Sequence, residues 1–391
     1  MQIRPIYPLL LAHLMTASVC AGSFFSSKSN NLVAVQETPS TPSRSSPAQE
    51  RIFPVSMSDS VRCGWTTDAS FLYWNASADG FEFAQLVDQN IVFDGRLPSS
   101  STATVTSQGI PFDSWDPGVQ LGIGYIFPQR EQWQAHCGWT HLNTSSHHTA
   151  KLSDPDNQTL RVSLLPVIMG PLASSAKGHW DLHYNMLDAD LGRRFFVGKY
   201  LSIKPLFGLR GGWIHQNFKV NYAGLFRTAG KVDAFLLDTS FHYTQDVHAI
   251  GMKMGSEFKY YMGEQWSLLG LFSSSLVHAS SSSNQKLNGY VFATDTHFFP
   301  VDADEPFSYN KLRTNLEGQL GLQWETFYHR DKFRFAISAL YTFSYWFRIN
   351  NLINEIVAQP NSPVLTQNVI ASVGNGDLQL QGLNIQFNFD F

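Results

Sequence analysis

The chain has 391 residues, of which 15% are charged and 14% are aromatic, and its formal net charge at pH 7 is −4. Soluble proteins average about 25% charged residues, so the charge content is low for this length. The sequence offers no basic cluster to attract phosphates, and we therefore exclude nucleic-acid binding.

The N-terminal segment has the pattern of a secretory signal. Residues 1–8 carry one cation, residues 9–19 are apolar, and Ala21 is the small residue that signal peptidase prefers. We predict that residues 1–21 form a signal peptide cleaved after Ala21. Lipidation of Cys20 is the less favoured alternative, because Val19 is a poor residue before a lipidated cysteine.

The next segment is predicted to be a flexible leader. Residues 22–62 are rich in Ser, Pro, Thr and Asn, a composition that buries too little surface to offset the entropy of ordering. The two cysteines that remain after signal cleavage, Cys63 and Cys137, are too few for a disulfide framework and wrongly spaced for zinc. Whether they pair is left open.

From residue 63 onwards, apolar and polar residues alternate with the two-residue period of β-strands. The clearest segments are 201–213, 311–325 and 332–345, where one face is apolar and the other carries polar and charged side chains. Weaker versions of the pattern occur at residues 117–127, 131–141, 177–190, 247–260 and 265–278.

The length of these segments predicts strands that cross a membrane. No later segment approaches the roughly 18 continuous apolar residues of a membrane helix, whereas about 9 to 11 residues suffice for a tilted strand. Because lipid offers no hydrogen bonds, a sheet inside it must close on itself. We therefore predict a closed barrel over residues 63–391.

The connections between strands agree with this architecture. Tight reversals are predicted at residues 128–130, 193–200, 262–264 and 328–331, and long polar loops at 144–176, 217–244, 279–308 and 350–376. The predicted fold is an all-β, transmembrane, antiparallel up-and-down barrel of about 10 strands, with about 8 to 14 compatible, and an even count places both termini in the periplasm. A hairpin of 66–74 with 81–87, and a further strand within 217–244, are left open.

Two stretches and the end of the chain resemble a known family. WDPGVQLGIGYIF at 115–127, WDLHYNMLDADLGRRFFVGKYLSIKPLFGLRGGWIHQNFKVNY at 180–222 and the terminal aromatic strand are similar to the pore-forming major outer membrane proteins of legionellae and chlamydia-related bacteria. The resemblance implies an outer-membrane barrel with porin-like activity, no cofactor and no catalytic residues. It departs from the cysteine-rich chlamydial members, which puts a disulfide-crosslinked envelope role in doubt.

The polar strand faces supply the candidate functional residues. Charged side chains inside a pore set its ion preference, and about 10 strands suit ions and small solutes. The alternative to a conducting pore is a lumen plugged by paired charges, in which case the protein would be a surface adhesin or a structural envelope barrel. Whether the protein forms a homo-oligomer is left open. The predicted pore-lining residues are Lys204, Arg210, Lys253, Glu257, Arg313, Glu317 and Arg334.

We predict no enzymatic activity and no metal site. The sequence lacks a Gly-x-Ser-x-Gly elbow, a His-Glu-x-x-His motif and a phosphate-binding glycine loop. A solvated polar loop is the simpler interpretation of His147 and His148 with His141 nearby. The acidic run 302–305 lacks the ligand spacing of a calcium loop.

The last strand, LNIQFNFDF, alternates to its final residue. Leu383, Ile385, Phe387, Phe389 and Phe391 are predicted to face lipid, with Asn384, Gln386, Asn388 and Asp390 facing the lumen. Phe387, Phe389 and Phe391 resemble the terminal aromatic signature of outer-membrane barrels, which implies recognition by the barrel-assembly machinery.

Overall fold

The computed structural model describes residues 64–94, 97–127, 133–154, 158–164, 172–223, 236–263, 265–294, 297–328, 333–360, 367–373 and 376–391. The predicted signal peptide (1–21), the leader (22–62), Cys63 with any pairing to Cys137, and the reversal at 128–130 lie outside these residues. In the described ranges, no helix is long and apolar enough to cross a membrane.

The described residues form seventeen strands. In chain order they are β1 (Gly64–Ala78), β2 (Glu82–Asp94), β3 (Leu97–Gly109), β4 (Trp115–Ile126), β5 (Trp133–Lys151), β6 (Gln158–Val162), β7 (Leu172–Ala173), β8 (Ser175–Arg193), β9 (Phe195–Val197), β10 (Leu201–Ala223), β11 (Leu236–Tyr261), β12 (Trp266–Thr294), β13 (His297–Tyr328), β14 (Phe333–Asn350), β15 (Ile353–Pro360), β16 (Gln367–Val373) and β17 (Gly376–Asp390).

Ten of these strands close into a barrel. Their order around it is β1, β4, β5, β8, β10, β11, β12, β13, β14 and β17, each antiparallel to its neighbours, and β9 adds a short pairing to β10. The barrel closes between the first and last strands, whose register runs from Thr66 opposite Asp390 to Ala78 opposite Leu378. The predicted all-β, antiparallel up-and-down barrel of about ten strands is confirmed.

The two strand faces have opposite exposure, in the sense expected for a barrel in lipid. Outward apolar side chains are open to the surroundings, as for Met254 at 61% and Leu320 at 59% exposure. Inward polar side chains are buried, as for Arg210 at 2% and Asn315 at 0%. A soluble sheet would bury its apolar face and expose its polar face. Here the apolar face is exposed and the polar face is buried, as expected for a barrel surrounded by lipid.

The two ends of the barrel differ. One end, here named the short-turn end, carries the connections between residues 127 and 133, 193 and 201, 261 and 266, and 328 and 333. Both ends of the barrel sequence also lie there, because Trp65 and Phe391 exchange two backbone hydrogen bonds of 2.9 Å. The opposite end, here named the long-loop end, carries the other connections.

The long polar loops predicted from the sequence are partly wrong. β12 and β13 pair almost continuously through the predicted loop 279–308, β10 and β11 extend into 217–244, and β5 and β8 extend into 144–176. These extensions lie beyond the outward apolar side chains, so the outer face of each strand there is polar. A strand with no lipid-facing side has no strong two-residue hydropathy signal, which is why these segments resemble loops.

The open question of a hairpin between 66–74 and 81–87 is also resolved. β1 pairs with β17 and β4, whereas β2 pairs with β3 and β6 in a separate sheet of β3, β2, β6 and β7. The chain therefore leaves the barrel wall after Ala78. β15 and β16 form a further two-stranded sheet.

Candidate functional site: the barrel lumen

The lumen of the short-turn half contains a cavity of about 250 Å³ lined mainly by polar side chains. These side chains come from the inward faces of most barrel strands, because the two-residue period of each strand sends every second residue inside. Five of the seven predicted pore-lining residues line the cavity, namely Lys204, Lys253, Glu257, Glu317 and Arg334.

Arg210, the sixth predicted residue, organises a buried charge cluster beside the cavity. Its guanidinium donates to Asp188 on the neighbouring strand at 2.7 and 2.6 Å, and to Glu317 on β13 at 2.5 Å. Lys253 donates to Asp188 at 2.9 Å and to Asp190 at 3.2 Å. The cluster links β8, β10, β11 and β13, and its bidentate pairing satisfies the donors of a guanidinium taken out of water.

Two further clusters lie closer to the short-turn end. Glu257 accepts from Lys204 at 2.6 Å and from Arg194 at 3.0 Å. Glu325 accepts from Lys259 at 2.7 Å and from Arg334 at 2.9 Å. Cations and carboxylates thus alternate around the wall, which leaves a cavity lining of mixed charge.

The last strand joins this lining at its final inward position. Arg334 on β14 donates to Asp390 on β17 at 2.6 Å, and Asp68 on β1 pairs with His136 on β5 at 2.7 Å. The lumen-facing position predicted for Asp390 agrees with this contact. The outward rings of Phe387, Phe389 and Phe391 are 45%, 41% and 51% exposed.

Arg313, the seventh predicted residue, lies away from the cavity. It is buried towards the long-loop half, where its guanidinium donates to Asn351 at 3.3 Å and lies 5.8 Å from the ring centroid of Tyr309. The sequence places Arg313 and Glu317 on one strand face, but the structure puts them in different layers of the lumen.

Sequence reasoning missed several partners of the predicted residues. Asp188 and Asp190 occupy alternating positions within 177–190, where the pattern is weak, and Lys259 and Glu325 lie two and three residues before the ends of their strands. The two-residue spacing of positions 188 and 190 could have indicated that both carboxylates face the lumen. Their contacts with Arg210 and Lys253 depend on strand order in the closed barrel, which the pattern of one strand does not contain.

An apolar core closes the lumen in the long-loop half. Phe81, from the chain that leaves the wall after β1, lies 4.9 Å from the Phe218 ring and 6.0 Å from the Trp180 ring. The rings of Tyr184 and Trp346 lie 6.5 Å apart, although β8 and β14 stand opposite each other in the barrel. Side chains from opposite walls therefore meet across the whole lumen.

This core, here named the plug, excludes water from the polar groups that it contains. Tyr222 lies nine residues beyond Trp213, the last exposed apolar side chain of β10, and its hydroxyl donates to the Phe83 carbonyl oxygen at 2.7 Å. Burial raises the pKa of Tyr222 well above its usual range. The segment 81–83 is therefore anchored to the barrel wall.

The candidate metal ligands are separated in the structure. His148 points inward and lies 3.3 Å from Gln108, whereas His141 points outward and lies 2.7 Å from Asn185. Among the described residues, no three His, Cys, Asp or Glu side chains cluster in a way that could hold a metal ion. The side chains of Asp302 and Glu305 lie outside the described set.

The comparisons with known proteins identify the family. A family described as the Legionella pneumophila major outer membrane protein precursor matches residues 59–391. The chain belongs to this family. It is therefore an outer-membrane β-barrel protein, as the resemblance of 115–127 and 180–222 implied.

Three solved structures align with most of this chain at low identity and low TM-score. The outer membrane protease OmpT from Escherichia coli is 8% identical over 85% of this chain and 99% of its own, with a TM-score of 0.34. The toluene transporter TodX from Pseudomonas putida is 9% identical over 87% and 93%, with a TM-score of 0.24. A FadL homologue from Pseudomonas aeruginosa is 7% identical over 87% and 93%, with a TM-score of 0.21. No curated protein sequence matches the chain.

Proposed function

We propose that this outer-membrane barrel is a pore for ions and small solutes, with a closed and an open arrangement of its plug. The observation that carries the proposal is the polar cavity in the short-turn half, whose walls hold cations and carboxylates from most of the barrel strands. A barrel serving only as a scaffold needs no such cavity, since about ten strands can be filled by side chains.

The plug defines what must move for conduction. Phe81, Trp180, Tyr184, Phe218 and Trp346 fill the lumen between the cavity and the long-loop end. Of these, Phe81 belongs to the short segment between β1 and β2 and is not held in the barrel ladder. Joining the cavity to the long-loop side would require displacement of this segment together with separation of the Tyr184 and Trp346 rings.

The proposed orientation places the long-loop end outside the cell and both termini in the periplasm. This follows the general arrangement of bacterial barrels, which keep short turns in the periplasm. Residues 1–21 then serve as the signal peptide, residues 22–62 as a periplasmic leader, and Phe387, Phe389 and Phe391 as the strand end that the assembly machinery recognises. No catalytic role is assigned to any residue.

The test is conductance in planar bilayers with charge changes at Gln386, a cavity-lining residue on β17. We expect stepwise currents from the purified protein. The reversal potential in a salt gradient should shift towards cation preference for Gln386→Glu and towards anion preference for Gln386→Lys. If the reversal potential shifts equally in both variants, or does not shift although current steps are seen, the current does not pass through the lumen.

A second candidate is a plugged barrel that acts as an adhesin or structural envelope protein. The observation that favours it is the contact of Tyr184 with Trp346 across the lumen. Two results together would favour this second function over the pore. The first is that neither the native protein nor variants with shortened plug side chains conduct. The second is that cells lose host-cell binding when the connections at the long-loop end are shortened.

A further inference from the structure

Histidines are concentrated on the outer surface of one side of the barrel. Eight of the thirteen histidines of the chain lie on outward positions of the adjacent strands β5, β8, β10, β11 and β12. In the described parts of β14, β17, β1 and β4, the outward faces carry no histidine. In the described strands, the outward histidines are therefore concentrated on one side of the barrel and are not spread around its whole circumference.

The strand register places five of these histidines at or just beyond the upper edge of the lipid-facing side chains. His248 lies opposite Trp213 and His278 opposite Ile250, at that edge, whereas the other three lie just beyond it. Trp139 and Trp213, which lie on outward positions at the upper edge of the apolar side chains, mark the interface that tryptophan prefers. The ring of His141 stacks on Trp139 with centroids 5.5 Å apart. We name the following group the lower histidine patch: His141, His183, His215, His248 and His278.

A second row of basic groups lies further along the same strands. Successive cross-strand pairs place five basic side chains side by side, one on each strand: His147, His179, Lys219, His242 and Lys286. Among the described side chains of these outward faces, the carboxylates are Asp181, Asp246 and Asp304, and the remaining lysines are Lys151 and Lys177.

Hydrogen bonds fix the orientation of three patch rings. The Nδ1 atoms of His183 and His141 lie 2.8 and 2.7 Å from the Oδ1 atoms of Asn143 and Asn185, and His215 Nδ1 lies 2.6 Å from Asp246 Oδ1. Because these oxygens can only accept, Nδ1 carries the proton in each ring and Nε2 is the atom that gains a proton on acidification. Protonation then converts Nε2 from an acceptor into a charged donor.

We propose that the lower histidine patch is a docking surface for anionic, phosphate-bearing lipid head groups that strengthens as the pH falls. The patch is continuous with the lipid-facing surface and begins at the interfacial tryptophans, where head groups lie. Each patch imidazole that takes up a proton adds one positive charge at the level of the head groups, and cations near an anionic membrane surface each add attraction. The proposal does not depend on pore activity.

The test measures lipid retained by the full-length protein in non-ionic detergent. Mixed micelles with phosphatidylglycerol or phosphatidylcholine are passed over a size-exclusion column, and lipid phosphorus in the protein peak is quantified. The native protein should retain at least about fivefold more phosphatidylglycerol at about pH 5.5 than at about pH 7.5. Phosphatidylcholine should show no such difference.

The variants separate charge from structure. His183→Gln with His215→Gln and His248→Gln should abolish the pH dependence, whereas His183→Lys with His215→Lys should retain phosphatidylglycerol at both pH values. The matched control, His136→Gln with His148→Gln, removes inward histidines and should behave as the native protein does. If the triple variant does not refold, the single changes His183→Gln and His248→Gln should each remove part of the difference.

Three results would overturn the proposal. The first is native protein with pH-independent retention, and the second is equal retention of phosphatidylcholine. The third is acid-driven association of barrels without lipid, seen as an earlier elution volume, because that would assign the patch to a second copy of the chain.

Discussion

The ring of Trp346 lies 6.5 Å from the ring of Tyr184, and the two residues stand on strands at opposite sides of the barrel. Together with the buried rings of Phe81, Trp180 and Phe218, this contact fills the lumen of the long-loop half. It also separates the polar cavity of the short-turn half from the long-loop end.

Shortening Trp346 should open this contact. Trp346→Ala removes a fully buried side chain and is expected to lower the free energy of unfolding by about 3 to 5 kcal/mol. In planar bilayers we expect a larger unit conductance or a higher open fraction than in the native protein. Trp266→Ala is the matched control, because it removes the same side chain from the lipid-facing surface, where it is 52% exposed. Unchanged conductance in a folded Trp346→Ala protein would argue against the plug as the closed gate.

Arg210 is expected to contribute to stability more than to ion preference. Arg210→Ala removes the bidentate partner of Asp188 and the single guanidinium donor of Glu317, and breaking a buried pair in this way costs about 3 to 5 kcal/mol. Urea titration of the folded fraction, resolved by heat-modifiable gel mobility, measures the loss. Lys219→Ala, at an exposed position, should change stability by less than about 0.5 kcal/mol. Comparable losses in both variants would refute the special role of the cluster.

Removing the final residue should affect assembly before it affects conduction. Phe391 exchanges two backbone hydrogen bonds with Trp65 and packs its ring 5.7 Å from Phe389, so its deletion frays the seam between the first and last strands. We expect a lower yield of membrane-inserted protein in cells, with native unit conductance for the molecules that insert. Equal yields with and without Phe391 would contradict the assembly role.

His242 should titrate below the ordinary range for histidine. It lies on β11 eight residues before Ile250, where the exposed apolar residues begin, and burial, together with the cations Lys219 and Lys286, lowers its pKa. A depressed folded-state pKa favours the neutral ring, so its contribution to stability is present above the ordinary histidine pKa and is lost as the pH falls through the folded value. Lys219→Gln should raise the pKa measured by NMR, and a fall would contradict the assigned cause.

The sequence predicts the barrel well because one physical rule governs it. Lipid outside and polar groups inside impose a two-residue period, so 201–213, 311–325 and 332–345 identify strands and sort Arg210 and Glu317 to the inner face. The terminal alternation of LNIQFNFDF follows the same rule, and the structure places Asp390 inside.

The remaining features depend on contacts that no local pattern encodes. The strand extensions beyond the membrane lose the lipid-facing signal, so 279–308 resembles a loop. Phe81 reads as part of a strand, but it leaves the wall and packs against Phe218 and Trp180 from other strands. The partners of Arg210 also come from strand order around the barrel, which is fixed only when the sheet closes.

The seam between β1 and β17 also constrains how the protein comes into being. Thr67 donates to the Phe389 carbonyl oxygen across 322 positions of sequence, and neither strand has its second neighbour until the other arrives. The entropy of closing so long a loop must be overcome before the ladder forms, which makes this the slowest kind of β pairing. Until then two unpaired edges are exposed, so the chain is open to pairing with other chains for as long as its first strand waits for its last.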